Sequence, residues 1–311
     1  ARTCPARASQ QEILDLSIPP GPPGARLPEL QAAAVAPDAG GPPRVSVADE
    51  RVSGLTIPNF RDAGGHATAD GRTVREGRLY RSVALDTATE DDLATLAALG
   101  VTTVIDMRRP DEAARRPDRL PEGAALLSLD VFADDEDLAT ADIHAVIAHL
   151  REPELVVTRF DAADMERFQL ASYYDLVMLP SAQRAYATFY RTRAANDDAS
   201  LVHCTGGKER TGWGVAALLT LLGVPREAVF ADYLISDANI RRMFSDVIVG
   251  FEARGGDRAV LDGLFGARRS YLTAAFDTVE REFGSVEAYM HAGLGLEREV
   301  TETLREAFLE P

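Results

Sequence analysis

Cysteine is nearly absent from this chain: Cys4 and Cys204 are the only two among 311 residues. A disulfide framework is excluded, and Cys204 is the only thiol beyond the N-terminal segment. Metal-binding spacings are missing as well. There is no HExxH, paired CxxC or calcium-loop pattern, so neither a metal nor a cofactor is expected. No apolar run approaches the ~20 residues that a membrane-crossing helix needs, and no integral membrane segment is expected. Positive charge is in deficit: 33 Lys and Arg stand against 49 Asp and Glu, a net charge of −16. Bulk electrostatics therefore disfavour a nucleic-acid or acidic-membrane partner, and a phosphorylated substrate would need a local basic pocket. No internal repeat is present.

Proline is unevenly spread. Nine of the 17 fall within residues 1–43, together with Gly21, Gly24, Gly40 and Gly41. This stretch reads as an irregular arm or linker, with at most one short helix near 28–35. The first residue is not methionine, which points to a processed or trimmed form. No signal peptide is visible, and a cytoplasmic or a secreted protein fits equally. Residues 44–311 read as one domain, with 46% apolar residues in the chain to build a core. Within it, 135–179 has helical periodicity and the aromatics Phe160, Phe168, Tyr173 and Tyr174, and is expected to form a helical lid. The acidic run Asp134-Asp135-Glu136-Asp137 is most simply a solvated helix start.

What the chain does have is concentrated in His203-Cys204-Thr205-Gly206-Gly207-Lys208-Glu209-Arg210-Thr211-Gly212. The apolar run before it reads as a buried strand and the run from Gly212 to Leu222 as a buried helix. A strand, a glycine-containing loop and a helix N-terminus make an anion trap, because successive amides point inward and the helix dipole adds positive potential. Thr205, Gly206, Gly207, Lys208 and Glu209 supply that cradle, and Arg210 can grip two oxygens of a tetrahedral anion. Cys204 would lie beneath the anion in a field favouring thiolate, where a thiol pKa of about 8.5 drops to roughly 3.5–7.5. Thiolate attack on phosphorus then gives a cysteinyl-phosphate that water hydrolyses. Thr211 can donate to the sulfur and improve it as a leaving group. The alternative reading of Cys204 as a small core residue would bury Lys208 and Arg210 without an anion, at high cost. His203 either supports the loop or merely ends the strand.

HCTGGKERTG resembles the HCxxGKxRTG loop of the protein tyrosine phosphatase superfamily, and more specifically that of its bacterial tyrosine/lipid phosphatase-like family. Further segments fit in order: Asn59-Phe60-Arg61-Asp62-Ala63-Gly64-Gly65 is similar to that family's NFRDxGG motif, Leu79–Ser82 to LYRS, Val104–Arg108 to VIDLR, and Ala231–Ser236 to ADYLxS. The tail from Gly284 to Gly295 resembles a GSxxxYL…GL pattern. The resemblance covers residue 50 to the end and implies a cysteine-dependent phosphatase. Its substrates would be phosphotyrosine-type proteins, with phosphoserine/threonine proteins, phosphoinositides or other phospholipids, and small phosphomonoesters also open. Glu209 departs from the aspartate many relatives carry, moving that carboxylate by one methylene.

Four carboxylates compete for general acid. Asp130, just after the fourth strand, ranks first. Asp106 ends a strand and can instead pair with Arg108 or cap the next turn. Asp62 can anchor its turn through an Asx-type hydrogen bond, and Glu209 lies in the loop itself. Lys208 suits a substrate with extra negative charge, or pairs with a nearby carboxylate. Trp213 reads as buried support.

The expected fold is α/β: a central, mainly parallel sheet of four to five strands flanked by helices, with a helix-rich C-terminal half. Strands are expected at 54–57, 78–83, 101–105, 125–129 and 201–203, a helix from Thr89 to Gly100, and the site at a strand's carboxyl end. Two other classes stay open: a sulfurtransferase or arsenate reductase, and a catalytically weak phosphate-binding module.

Overall fold

The computed structural model describes residues 54–135 and 161–311. The arm at 1–43 and most of the lid segment lie outside these residues. Within them the strands are β1 (Arg61–Asp62), β2 (Thr73–Val74), β3 (Leu79–Ser82), β4 (Val101–Asp106), β5 (Ala125–Ser128), β6 (Ala199–His203) and β7 (Leu309–Glu310). The helices are α1 (Glu90–Ala98), α2 (Pro110–Arg115), α3 (Ala162–Met178), α4 (Pro180–Ala195), α5 (Glu209–Leu221), α6 (Arg226–Met243), α7 (Ser245–Ala253), α8 (Arg258–Phe265), α9 (Arg269–Phe283), α10 (Val286–Ala288) and α11 (Arg298–Phe308).

Five strands form one sheet in the order β1-β3-β6-β4-β5, parallel except for β1, while β2 and β7 pair separately. Parallel strands covered on both faces read as continuous apolar runs, and the side chains alternate between two cores. Leu79, Ile105 and Val202 enter one core with Trp213, while Tyr80, Val104 and Leu201 enter the other with Phe251 and Phe265. Each such side chain contributes about 1.5–3 kcal/mol by leaving water. The chain passes from β3 through α1 to β4 and leaves a gap that β6 later fills. The loop after β6 therefore opens where the connections diverge to opposite sides, the usual crevice of a doubly wound sheet.

Local signals held at α1: Thr89 accepts from the Asp92 amide at 3.1 Å, and Asp92 accepts from the Thr89 amide at 2.8 Å, a capping box. The strand expected at 54–57 does not form. Thr56 gives its amide and its hydroxyl to Asp92, both at 2.7 Å, so a side chain takes the donor that a ladder would have used.

Candidate active site

Residues 204–208 join β6 to α5, and their geometry is set from behind. The Asn59 side-chain amide donates to the carbonyls of Gly206 and Gly207, both at 3.1 Å. Arg81 Nη2 donates to the Gly207 carbonyl at 3.0 Å, and the Ala84 amide to that of Thr205 at 3.2 Å. His203 Nδ1 lies 3.1 Å from the Cys204 carbonyl. Four successive carbonyls are thus turned outward. Because the peptide group is planar and trans, each following N–H points the other way, so the amides of 205–208 are turned away from these partners. At Gly207, φ is +63° and an added Cβ would lie 2.0 Å from the Ser82 carbonyl oxygen, so only glycine fits.

The residues that turn the loop are themselves held. Asn59 has φ +57°, a conformation that asparagine tolerates. Arg61 donates to the Asn59 Oδ1 at 2.7 Å, which leaves the amide NH2 aimed at the loop. Asp232 bridges Arg61 at 2.8 Å and Arg81 at 2.5 Å. Burial pushes the Asp232 carboxyl up, yet Arg61 and Arg81 outweigh it and hold it well below the usual range. Burial and the neighbouring Arg61 bring Arg81 down to about 10. The three segments that looked like scattered motifs therefore converge on one network.

Arg210 comes from the first turn of α5 and is nearly buried. It meets Glu112 through two bonds, Nη1 to Oε2 at 2.6 Å and Nη2 to Oε1 at 3.0 Å, the bidentate geometry that fixes a guanidinium. Burial pushes the Glu112 carboxyl up, but Arg210 outweighs this and holds it at about 2. The Thr205 hydroxyl also donates to Glu112, so Thr205 faces the cradle with its amide rather than its side chain. Phe132 lies under the guanidinium, 5.6 Å from ring centre to Cζ.

Cys204 is a buried free thiol. Thr211 Oγ1 is buried without a hydrogen-bond partner, as a donor reserved for the sulfur or for a bound group would be. Asp130 lies in the loop after β5, half-buried, accepting from the Phe132 amide at 3.0 Å. Burial raises its carboxyl above the ordinary value, against the pull of Arg109 and Arg210. Of the alternatives, Asp62 accepts from the amides of Gly64 at 2.7 Å and Gly77 at 2.6 Å, the expected Asx turn. Asp106 accepts from the Arg108 amide at 2.9 Å and pairs with its guanidinium at 2.8 Å. Glu209 pairs with Lys208 at 2.8 Å.

Lys208 is not aimed at the cradle. Its ammonium donates to the carbonyls of Leu264 at 2.7 Å and Gly266 at 3.2 Å, and it is the only lysine in the chain. With Glu209, three acceptors surround three donors, a match that a planar guanidinium would not make. Of its two sequence readings, the structure carries the pairing with a carboxylate. His203, Asp106 and Asp118 place ligand atoms within 4.8 Å of one another. Arg108 already pairs with both carboxylates there, at 2.8 and 2.7 Å, so a fixed guanidinium occupies the place a cation would take. His203 Nε2 lies 3.3 Å from Asp118, and the ring sits behind the loop.

Glu112, Asp118, Asn59 and Asp232 were not expected as site residues. For Glu112 one local signal was available: Pro110 followed by an acid at the third helical position marks a helix start. Nothing local connects it to an arginine 98 residues away.

A profile of the tyrosine phosphatase family matches residues 53–310. A Cupriavidus necator protein, named as a tyrosine-protein phosphatase, is 34% identical over 246 residues, 77% of this chain and 82% of its own length. The triple specificity protein phosphatase PtpB of Mycobacterium tuberculosis is 34% identical over 254 residues, 75% of this chain and 90% of its own length. A tyrosine-protein phosphatase of Nostoc commune is 29% identical over 219 residues, 68% of this chain and 67% of its own length. The match over residues 53–310 and relatives at 34% identity, with the buried thiol and the anchored arginine in one loop, show that this chain belongs to the tyrosine phosphatase family.

Proposed function

We propose that the protein hydrolyses phosphomonoesters, phosphotyrosine-type substrates foremost, through a phosphate carried on Cys204. The loop amides of 205–208 and the Arg210 guanidinium hold the equatorial oxygens, where transition-state charge resides. The Cys204 thiolate forms the S–P bond as the ester P–O bond breaks, and Asp130 gives its proton to the leaving oxygen. Water then attacks phosphorus, the ionised Asp130 takes its proton, and the S–P bond breaks to return thiolate and inorganic phosphate. Thr211 donates to the departing sulfur. The observation that carries this reading is the outward turn of four consecutive carbonyls around a buried thiol, beside an arginine already locked in place by Glu112.

We further propose that residues 44–311 act as one phosphatase domain. No helix among the described residues is long and apolar enough to cross a membrane.

The test is hydrolysis of p-nitrophenyl phosphate across pH 4–8 in EDTA, for the wild type and Cys204→Ser. Turnover that falls by roughly 10⁴-fold or more in Cys204→Ser supports the thiolate route. A folded wild type without turnover overturns the reading, and persulfide on Cys204 after thiosulfate would point to sulfur transfer instead.

A further inference from the structure

Two adjacent arginines follow β4, and their charges are met differently. Arg108 is buried and donates to Asp106, to Asp118 and to the Arg116 carbonyl at 2.7 to 2.9 Å. Arg109 keeps 24% of its side-chain surface in solvent. Its guanidinium meets the Asp135 carbonyl at 3.3 Å and the Asp111 carboxylate at 3.6 Å, both long for charge-assisted contacts. Its backbone is nevertheless anchored at the site. The Arg109 amide donates at 2.9 Å to Glu112 Oε2, the same oxygen that receives Arg210 Nη1. Its charge also acts on Asp130, alongside that of Arg210. Arg109 thus touches both the stretch that follows Asp130, through the Asp135 carbonyl, and the carboxylate that holds Arg210. The Lys208 ammonium, the other cation there by sequence, is buried among three acceptors on the far side of the loop.

We propose that Arg109 is a specificity residue that takes a second anionic group of the substrate, beside the scissile phosphoryl group. The group is a carboxylate on a residue next to the phosphorylated side chain of a peptide. This rests on the phosphatase reading and deepens it. A guanidinium fork matches a carboxylate in two-point geometry, and among the described residues two long contacts would have to yield. The net charge of −16 favours a peptide in solution over an anionic membrane surface.

The experiment compares two phosphotyrosine peptides that differ only in Glu or Gln on both sides of the phosphotyrosine. The wild type at low salt should favour the Glu peptide by about fivefold in kcat/KM, through KM, the size of a good part-exposed ion pair. Arg109→Gln should bring that ratio to within twofold of unity, and Arg109→Lys should leave it between. Both peptides meet the same Asp130, so any change in that acid cancels in the ratio. A ratio undiminished in Arg109→Gln overturns the proposal. So does an Arg109-dependent preference confined to soluble inositol bisphosphate over monophosphate, which would reassign the subsite to a phosphate. If the wild type turns over neither peptide nor p-nitrophenyl phosphate, it is the phosphatase reading beneath that fails.

Discussion

The back of the loop at 204–208 and its front are both built from arginines and carboxylates, but they complete their charges differently. At the back, Arg81 and Asp232 are buried within 2.5 Å of each other, and Arg61 closes the same pair. That network reaches the loop carbonyls through Asn59 and Arg81. At the front, Arg210 is held by the Glu112 carboxylate, while Asp130 and Arg109 are part-exposed. One side stores geometry, and the other is where the proposed substrate anion would bind.

The largest effect expected is at the back. Asp232→Asn leaves two arginines without their carboxylate, and a broken buried pair of this kind costs about 3–5 kcal/mol. Urea unfolding should show that loss, and inorganic phosphate should not restore it. At the front, Asp130→Asn should lower kcat by about 10²-fold or more. The sign of its pH dependence follows from the proton: Asp130 acts as an acid only while protonated, so activity falls as pH rises through its elevated pKa. That alkaline limb should vanish in the asparagine variant, and a limb that persists would move the acid elsewhere.

Glu112→Gln probes the front without removing its arginine. Misorienting Arg210 should cost roughly 10²-fold in kcat/KM. Phosphate at about 100 times its Kd should return up to about 2.7 kcal/mol of stability to this variant, since a bound anion replaces the lost charge. Equal behaviour of Glu112→Gln and Asp232→Asn toward phosphate would erase the distinction between the two sides. Both carboxyls are held below their ordinary range. Their contribution is therefore present above the unfolded pKa, near 4, and for Glu112 is lost as pH falls toward about 2. The smallest effect is expected for Lys208→Arg. A planar fork cannot reach the Leu264 and Gly266 carbonyls and Glu209 together, so thermal unfolding should report about 1–3 kcal/mol lost, with p-nitrophenyl phosphate KM within about twofold of wild type.

Much of this was legible in sequence because the signals are local. The Thr89 cap, the Asx turn at Asp62 and the pairing of Asp106 with Arg108 each involve residues two or three apart. Four of the five expected strands formed, each built around an apolar segment: Leu79-Tyr80, Val104-Ile105, Leu126-Leu127 and Leu201-Val202. The fifth, at 54–57, failed because Asp92, 36 residues away, took the Thr56 amide.

The composition of the loop suffices for the proposed site without any coordinates. Cysteine, glycines, arginine and threonine at this spacing can hold a tetrahedral anion over a thiol, since backbone amides and a helix start create that field within ten residues. The partners of those residues had to come from the fold. Glu112 reaches Arg210 across 98 positions, Asn59 reaches Gly207 across 148, and Arg81 reaches Asp232 across 151. A buried charge is satisfied by whatever the packed chain brings within 3 Å. That proximity depends on every element between, so no local pattern encodes it. The same holds for the direction of Lys208: its place in the loop was readable, but the carbonyls that draw it away belong to the end of α8 and the turn beyond it.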